Sequence, residues 1–424
     1  MTDFHHNSDE KERCILVSVD TGYFDAELSI GELEQLAETA GAEIYGKMIQ
    51  KRDKPENTTY IGEGKLYELR DMCKSAEIDL LIFDGELTPS QQRNIEYFTD
   101  VRTIDRTTLI LDIFALNART GEGKLQVELA QLKYMLPRLS GKGTSMSRLG
   151  GGIGTRGPGE SKLESDRRHI RRRIKSLENA LDNVVKRRAL LHKRREKTGV
   201  TTVAIVGYTN AGKSTLLNAL TDAGVLTENK LFATLDPTSR ALKLPDGRSV
   251  ILVDTVGFIS RLPHSLVESF KSTLEEVVYA DLILNVCDAS NPDYEQQIEV
   301  TLDTIKELGA SDKPVLTVFN KCDLTPNLHF FSVDRNTVRI SAKTGEGLPA
   351  LLEKTASMLE NTRRRVKLII PYSDGNLTSR IRNEGELISE EYTPDGIMID
   401  AVLDSGFLNL VKDYIIHDNT HNDE

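Results

Sequence analysis

The sequence has no tryptophan and only four cysteines, Cys14, Cys73, Cys287 and Cys322. None of the four stands at C-x-x-C spacing, which excludes the usual zinc sites and a disulfide framework and fits a reducing cytoplasm. Long apolar runs are missing as well: no stretch approaches the roughly 20 residues that a membrane-spanning helix needs. The opening MTDFHHNSDEKER is polar and lacks the apolar centre of a signal peptide. Neither export nor membrane insertion is expected. His5 and His6 belong to this polar stretch, and residues 1–13 read as a disordered tail rather than a metal site.

Basic residues are in deficit, giving a net charge of -11, yet they are unevenly spread. Residues 138–198 hold 18 Lys and Arg against 6 Asp and Glu, an excess of +12 that leaves -23 for the rest of the chain. A polyanion would meet this protein at that one segment. The remaining composition is ordinary. With 39% hydrophobic and 28% charged residues, the 424-residue chain can bury normal cores and should divide into about two to four domains.

Over residues 14–120, apolar runs such as CILVSVD and DLLIFDG alternate with amphipathic stretches such as GELEQLAETAG. That alternation predicts an N-terminal α/β domain with a parallel sheet and no catalytic constellation. GEGK at 62–65 reads as a helix N-terminus. Residues 121–197 carry two apolar seams, Leu125, Leu129, Leu132 and Leu136, then Leu163, Ile170, Ile174, Leu177, Leu181, Val184 and Leu191. Their spacing predicts a long antiparallel helical hairpin with a tip at 137–162. The tip holds six glycines and a proline between Gly150 and Gly159. Gly152, Gly154 and Gly157 make a formal G-x-G-x-x-G, but no strand precedes it and Pro158 follows, so it reads as a loop and not a dinucleotide turn. Residues 365–424 predict a small α+β C-terminal domain.

The chemistry lies between. VTTVAIVGYTNAGKSTLLNAL is a strand, then G-x-x-x-x-G-K-S, then a helix. In that context the backbone from Gly207 through Tyr208, Thr209, Asn210, Ala211 and Gly212 to Ser214 and Thr215 wraps phosphates. Lys213 neutralises the β and γ oxygens, and the Ser214 hydroxyl ligates Mg2+. Asp254, Thr255, Val256 and Gly257 end an apolar strand; Asp254 can hold Mg2+ through water, and the Gly257 N–H can reach a γ-phosphate. Asn320, Lys321, Cys322 and Asp323 end another. The Asp323 carboxylate only accepts, matching the N1–H and N2–H2 donors of guanine, while Asn320 ties the loop and Lys321 covers the base. Ser341, Ala342 and Lys343 add a backbone N–H toward the guanine oxygen.

Switch I falls on Phe232, Ala233, Thr234, Leu235 and Asp236, with Thr234 the expected Mg2+ and γ-phosphate ligand and Thr238 the alternative. Lys213, Thr234 and Gly257 are the expected catalytic groups. Residue 258, where a Ras-like enzyme has a water-orienting glutamine, is Phe258, so hydrolysis should be slow alone and depend on a partner. Asn210 is a candidate holder of K+ near the phosphates, or a loop stabiliser. The motif set predicts a P-loop GTPase domain with a mostly parallel sheet over 198–364, converting GTP to GDP and phosphate with Mg2+.

Beyond these motifs, TYIGEGKL, DRTTLILDIFALNART, KLQVELAQLKYMLPRLSG, GGGIGTRGPGESKLESDRR, FATLDPTSR and DTVGFISRLPH resemble the HflX family of ribosome-associated GTPases over nearly the whole length. The resemblance implies a cytoplasmic, monomeric factor that binds the large ribosomal subunit, hydrolyses GTP there, and dissociates or rescues stalled ribosomes under stress. Its hairpin would reach ribosomal RNA, with Arg156, Arg167, Arg168, Arg171, Arg172 and Arg173 meeting phosphates. No membrane partner is expected. An alternative is a helicase-like, nucleotide-driven RNA-remodelling enzyme, which ATP-dependent unwinding would favour. A regulator of a membrane protease is a third reading.

Overall fold

The computed structural model describes residues 11–139, 158–198, 200–221, 231, 232, 235, 237–261, 263, 266, 271–325, 336–360, 364–403 and 405–416. The chain divides into two compact units. The first runs as far as Asn183 and adds Asn229–Leu235 and Ser260–Phe270; the second comprises Val184–Glu228, Asp236–Ile259 and Lys271–Glu424.

In the first unit the alternation becomes β1 (Arg13–Asp20), α1 (Ala26–Thr39), β2 (Glu43–Lys51), α2 (Glu63–Ala76), β3 (Leu80–Phe83), α3 (Pro89–Thr99), β4 (Arg102–Asp105) and α4 (Arg106–Asn117). The four strands are parallel in the order β2-β1-β3-β4. The central strands β1 and β3 are apolar almost throughout because both their faces are covered, whereas edge strand β2 is largely open. Local signals set the helix starts. The Asp25 carboxylate accepts from the N–H groups of Glu27 and Leu28, and Thr88 with Gln91 forms a capping box ahead of Pro89. Gly62 opens α2, so GEGK is a helix N-terminus as expected. All four cysteines are buried free thiols, and burial pushes Cys14 up to about 12 and Cys73 up to about 11, which leaves them unreactive.

Helices α5 (Gly121–Arg138) and α6 (Pro158–Thr198) follow. The α5 seam differs from expectation. Leu129 is buried, but Leu125, Leu132 and Leu136 are only half-buried, and the covered face instead runs through Gly123, Gln126, Val127 and Ala130. The reason is that α5 packs on α4. Two ion pairs join α5 to α6, Glu128 with Arg173 at 2.7 Å and Lys133 with Glu178 at 3.0 Å. Their numbers rise together, whereas antiparallel helices would match rising numbers with falling ones. Along α6, Leu177 is buried while Ile170, Ile174, Leu181 and Val184 are half-buried.

At the carboxyl end of this sheet lies a buried charged cluster. Asp84 accepts from Arg106 at 2.9 Å, from the Ser18 hydroxyl at 3.1 Å and from Arg261 at 3.1 Å. Arg106 also pairs with Glu32 and donates to the Ser260 carbonyl at 3.1 Å. Nearby, Phe232 packs edge-on against Phe114 with centroids 4.7 Å apart, and Asn117 donates to the Phe232 carbonyl at 2.9 Å. Short pieces adjoining both switch motifs therefore fold with N-terminal helices.

The second unit holds β5 (Thr201–Gly207), α7 (Lys213–Thr221), β6 (Thr238–Lys243), β7 (Ser249–Asp254), β8 (Leu282–Asp288), β9 (Val315–Asn320) and β10 (Thr337–Arg339). The sheet order is β10-β9-β8-β5-β7-β6, all parallel except β6, which runs antiparallel to β7. One face of the sheet buries Val203, Ile205, Leu284, Val286 and Leu316; the other buries Ala204, Val206, Ile283 and Phe258 against the helices Lys271–Val278 and Tyr294–Glu307. Further on, β11 (Arg364–Ile370), β12 (Glu386–Thr393) and β13 (Gly396–Leu403) form an antiparallel sheet in the order β11-β13-β12. Helices Gly375–Glu384 and Ser405–Leu410 close its core around Leu368, Ile370, Ile381, Ile399 and Phe407, the α+β arrangement expected.

Candidate functional site

The site is built where β5, β7, β8 and β9 end. After β5 the backbone turns through Gly207 at φ +144° and Gly212 at φ +93°. A β carbon at Gly207 would run into the Val286 carbonyl, and one at Gly212 into the Asn320 amide, so both positions require glycine. The loop then enters α7 at Lys213, whose first-turn N–H groups have no helical partner and suit an anion.

Lys213 is buried, and its ammonium arches back to donate to the carbonyls of Gly207 at 3.1 Å and Tyr208 at 2.8 Å. Burial pushes its pKa from 10.5 down to about 8, against the opposing pull of the Asp254 carboxylate. Phosphate oxygens would favour its charged form further. The Ser214 hydroxyl donates to Asp254 at 2.6 Å, bringing one hydroxyl and one carboxylate to a single point. Mg2+ takes few protein oxygens and fills its other positions with phosphate and water, so this donor set fits it. Ser214 would hold the ion directly and Asp254 through water. Among the described residues no group of three or more His, Cys, Asp or Glu offers another metal site.

Downstream of Asp254, Thr255 is structural, its hydroxyl donating to the Ile205 carbonyl at 2.8 Å, and Val256 is buried. Phe258 is 2% exposed and packs with Leu274, Val277 and Ala280. Its ring is turned into the core, where it can orient no water.

At the base end, Asn320 joins three loops. Its amide donates to the Ala211 carbonyl at 2.8 Å, and its oxygen accepts from the Ala342 N–H at 2.9 Å. Ser341 is buried, and its hydroxyl accepts from the Thr344 N–H at 3.2 Å. Lys321 has left-handed backbone at φ 63° and its ammonium meets Asp288 at 2.7 Å. Asp288 in turn accepts from the N–H and hydroxyl of Ser290. Sequence reasoning missed Asp288, although it ends an apolar strand as Asp254 does. Asp323 sits in the short turn Cys322–Leu324, and the Cys322 N–H donates to Ile340 at 3.1 Å.

Several expected residues lie outside the described ones: Ala233, Thr234, Asp236, Arg156 and the glycine loop over 140–157. Thr238, the alternative to Thr234, starts β6 directly opposite Asp254. Phe232 and Leu235 are buried. Of the arginines, Arg168, Arg171 and Arg172 are exposed and Arg167 is half-buried, while Arg173 grips Glu128 through two 2.7 Å hydrogen bonds. The arrangement can hold polyphosphate between β5 and α7, hold guanine beside β9 and β10, and present a γ-phosphate to Gly257. No described helix is long and apolar enough to cross a membrane.

Three family models match consecutive parts of the chain. They are the GTP-binding GTPase N-terminal domain over 27–115, the GTP-binding GTPase middle region over 117–195, and the 50S ribosome-binding GTPase over 202–321. The chain is 50% identical over 409 residues to a GTPase HflX of Lacrimispora saccharolytica, covering 96% of each protein. It is 41% identical over 397 residues to the GTPase HflX of Escherichia coli, covering 92% of each. A crystal structure of SsGBP with GDP aligns at TM-score 0.45 and 26% identity over 82% of this chain and 98% of that one.

Proposed function

The chain belongs to the HflX family of GTPases and hydrolyses GTP, and from that premise we propose that it acts on the large ribosomal subunit, dissociating or rescuing stalled ribosomes under stress. The observation that carries the reading is the exposed arginine face of α6, Arg168, Arg171 and Arg172, in a chain that is otherwise acidic. Ribosomal RNA is the polyanion such a face would meet, its guanidinium groups neutralising phosphates and stacking on unpaired bases. Arg156 and the glycine loop would extend that contact.

In this reading the protein works as a cytoplasmic monomer in four parts: 14–120, the helices within 121–197, the nucleotide-binding part 198–364 and the tail 365–424. Thr234 would supply a ligand to Mg2+ when GTP is bound, and Asn210 would supply one to K+. Because Phe258 cannot orient water, the ribosome supplies what raises the hydrolysis rate. The experiment is ribosome pelleting with GTP, GDP and a non-hydrolysable GTP analogue. Co-sedimentation with the 50S subunit should be strongest with the analogue, and hydrolysis should rise on adding ribosomes. Equal pelleting with all three nucleotides and an unchanged hydrolysis rate would overturn the proposal.

A further inference from the structure

Asp288 belongs to none of the nucleotide-binding motifs, yet it is bonded into one of them. It ends β8 directly opposite Asn320, the last residue of β9, and the N–H of the next residue, Ala289, donates to the Asn320 carbonyl at 2.9 Å. One carboxylate oxygen of Asp288 is fixed by its own turn, accepting from the Ser290 N–H at 2.9 Å and the Ser290 hydroxyl at 2.6 Å. The other oxygen meets the Lys321 ammonium at 2.7 Å. With side chains 25% and 17% exposed, this pair contributes little to the stability of the fold. Its geometry matters more to the site that Lys321 serves.

The backbone around Lys321 is already set. Lys321 is left-handed at φ 63°, a conformation that residues other than glycine seldom adopt unless their surroundings impose it. Here the Leu324 N–H donates to the Lys321 carbonyl at 3.0 Å, and the Cys322 N–H donates to Ile340 at 3.1 Å. Only the side chain is left to be ordered. Lysine is among the side chains that lose most rotamer freedom when they are fixed, and a lysine fixed by a ligand weakens that ligand's affinity accordingly. One whose far end is already bonded has lost the freedom beforehand. Lys321 leaves the chain between Asn320, which ties the phosphate loop through Ala211, and Asp323, the acceptor for guanine.

We propose that Asp288 is a positioning residue of the guanine site and acts through Lys321. Its carboxylate holds the ammonium, so that the four-carbon stem is laid out before the nucleotide arrives and serves as a wall for one face of the purine. Asp288 itself touches no nucleotide. The inference rests on the assignment of residues 320–323 to the base, while the phosphate end is built from other side chains, Lys213, Ser214 and Asp254.

The test is a double-mutant cycle on the full chain, with Asp288→Asn, which keeps the shape and removes the charge, and Lys321→Met, which keeps the stem and removes the ammonium. Calorimetric titration should show GDP affinity falling roughly three- to tenfold in Asp288→Asn, and no further when Asp288→Asn is added to Lys321→Met. Inosine diphosphate, which lacks the 2-amino donor of guanine, should weaken by the same factor as GDP, because a wall meets the face of the purine and not its edge. A loop merely disturbed by the substitution would weaken GDP more than inosine diphosphate, since Asp323 reads the 2-amino group, and that result would overturn the proposal. So would a change of less than threefold, tighter binding, or an equal further loss in the Lys321→Met background. Asp323→Asn separates this inference from the reading beneath it. An unchanged guanine preference in Asp323→Asn would remove the base assignment itself, whereas a lost preference there, with parent affinity in Asp288→Asn, would overturn the role of Asp288 alone.

Discussion

Replacing Asn320 by alanine should damage nucleotide binding more than any surface change in the same domain. The residue is 2% exposed and joins three loops that a nucleotide must find together, through bonds of 2.8 Å to Ala211 and 2.9 Å from Ala342. Alanine leaves a buried carbonyl and a buried N–H without that partner. Each orphan costs about 1–3 kcal/mol, less whatever entering water restores, so about 2–4 kcal/mol is the expected total. In the variant without nucleotide the untied loops would be free to part and let water reach those groups. The bound form needs them closed, so most of the cost falls on binding, which at about 1.4 kcal/mol per decade predicts roughly 30- to 700-fold weaker GDP affinity. Calorimetric titration of GDP measures it, with urea unfolding of the free protein as the companion experiment. A dissociation constant within threefold of the parent, together with an unchanged urea midpoint, would refute the reasoning.

Asp323→Asn turns an acceptor facing guanine donors into a donor, so preference should move from guanine toward xanthine nucleotides; unchanged GTP affinity by equilibrium titration would sink the assignment. Lys213 has a folded pKa of about 8 against an ordinary 10.5, so between those values the unfolded chain binds more protons and stability without nucleotide should rise with pH. Lys213→Met should lack that rise, and urea midpoints with the same pH profile in variant and parent would count against it. Neutralising Arg168, Arg171 and Arg172 together should flatten the log–log salt dependence of ribosome binding by about two to three, at roughly 0.7 to 0.9 per phosphate, with basal hydrolysis intact. Pelleting with the parent's salt dependence would show those charges to be merely solvated. Arg173 is excluded because Glu128 already holds it.

Much of the nucleotide site was readable because its signals are local. A glycine that must avoid Val286, a serine one residue after a lysine, and an aspartate at a strand end each declare themselves within a few residues. The same holds for the N-terminal sheet, where β1 and β3 are apolar runs bounded by capped helices. The α5 seam misled for a physical reason. Leucines at Leu125, Leu132 and Leu136 advertise a face, but α4 offers its own apolar surface beside Gly123, Val127 and Ala130, and closeness of approach decided the packing. Asp288 was illegible because its meaning depends on Lys321, 33 positions away.

The Asp84 cluster makes the same point at longer range. In a sheet ordered β2-β1-β3-β4 the chain departs from β1 toward both sides, and the crevice at the carboxyl ends of β1 and β3 is where α/β sheets bind ligands. Ser18 on β1 and Asp84 after β3 stand there, and what they receive is Arg261, 177 residues beyond Asp84, with its guanidinium 4.0 Å over the Phe24 ring and bonded to the Ser29 hydroxyl at 2.8 Å. Arg106 completes the neutralisation from below, itself 2% exposed and also bound to the Ser260 carbonyl. A fully buried carboxylate is tolerated only when paired and hydrogen-bonded, and Asp84 meets that condition with two arginines and a hydroxyl. The crevice that would have suggested a ligand site in this unit is thus satisfied by the chain's own residues, Ser260 and Arg261, three and four positions after Gly257. Ser260 and Arg261 are thus held by Arg106 and Asp84 of their own compact unit.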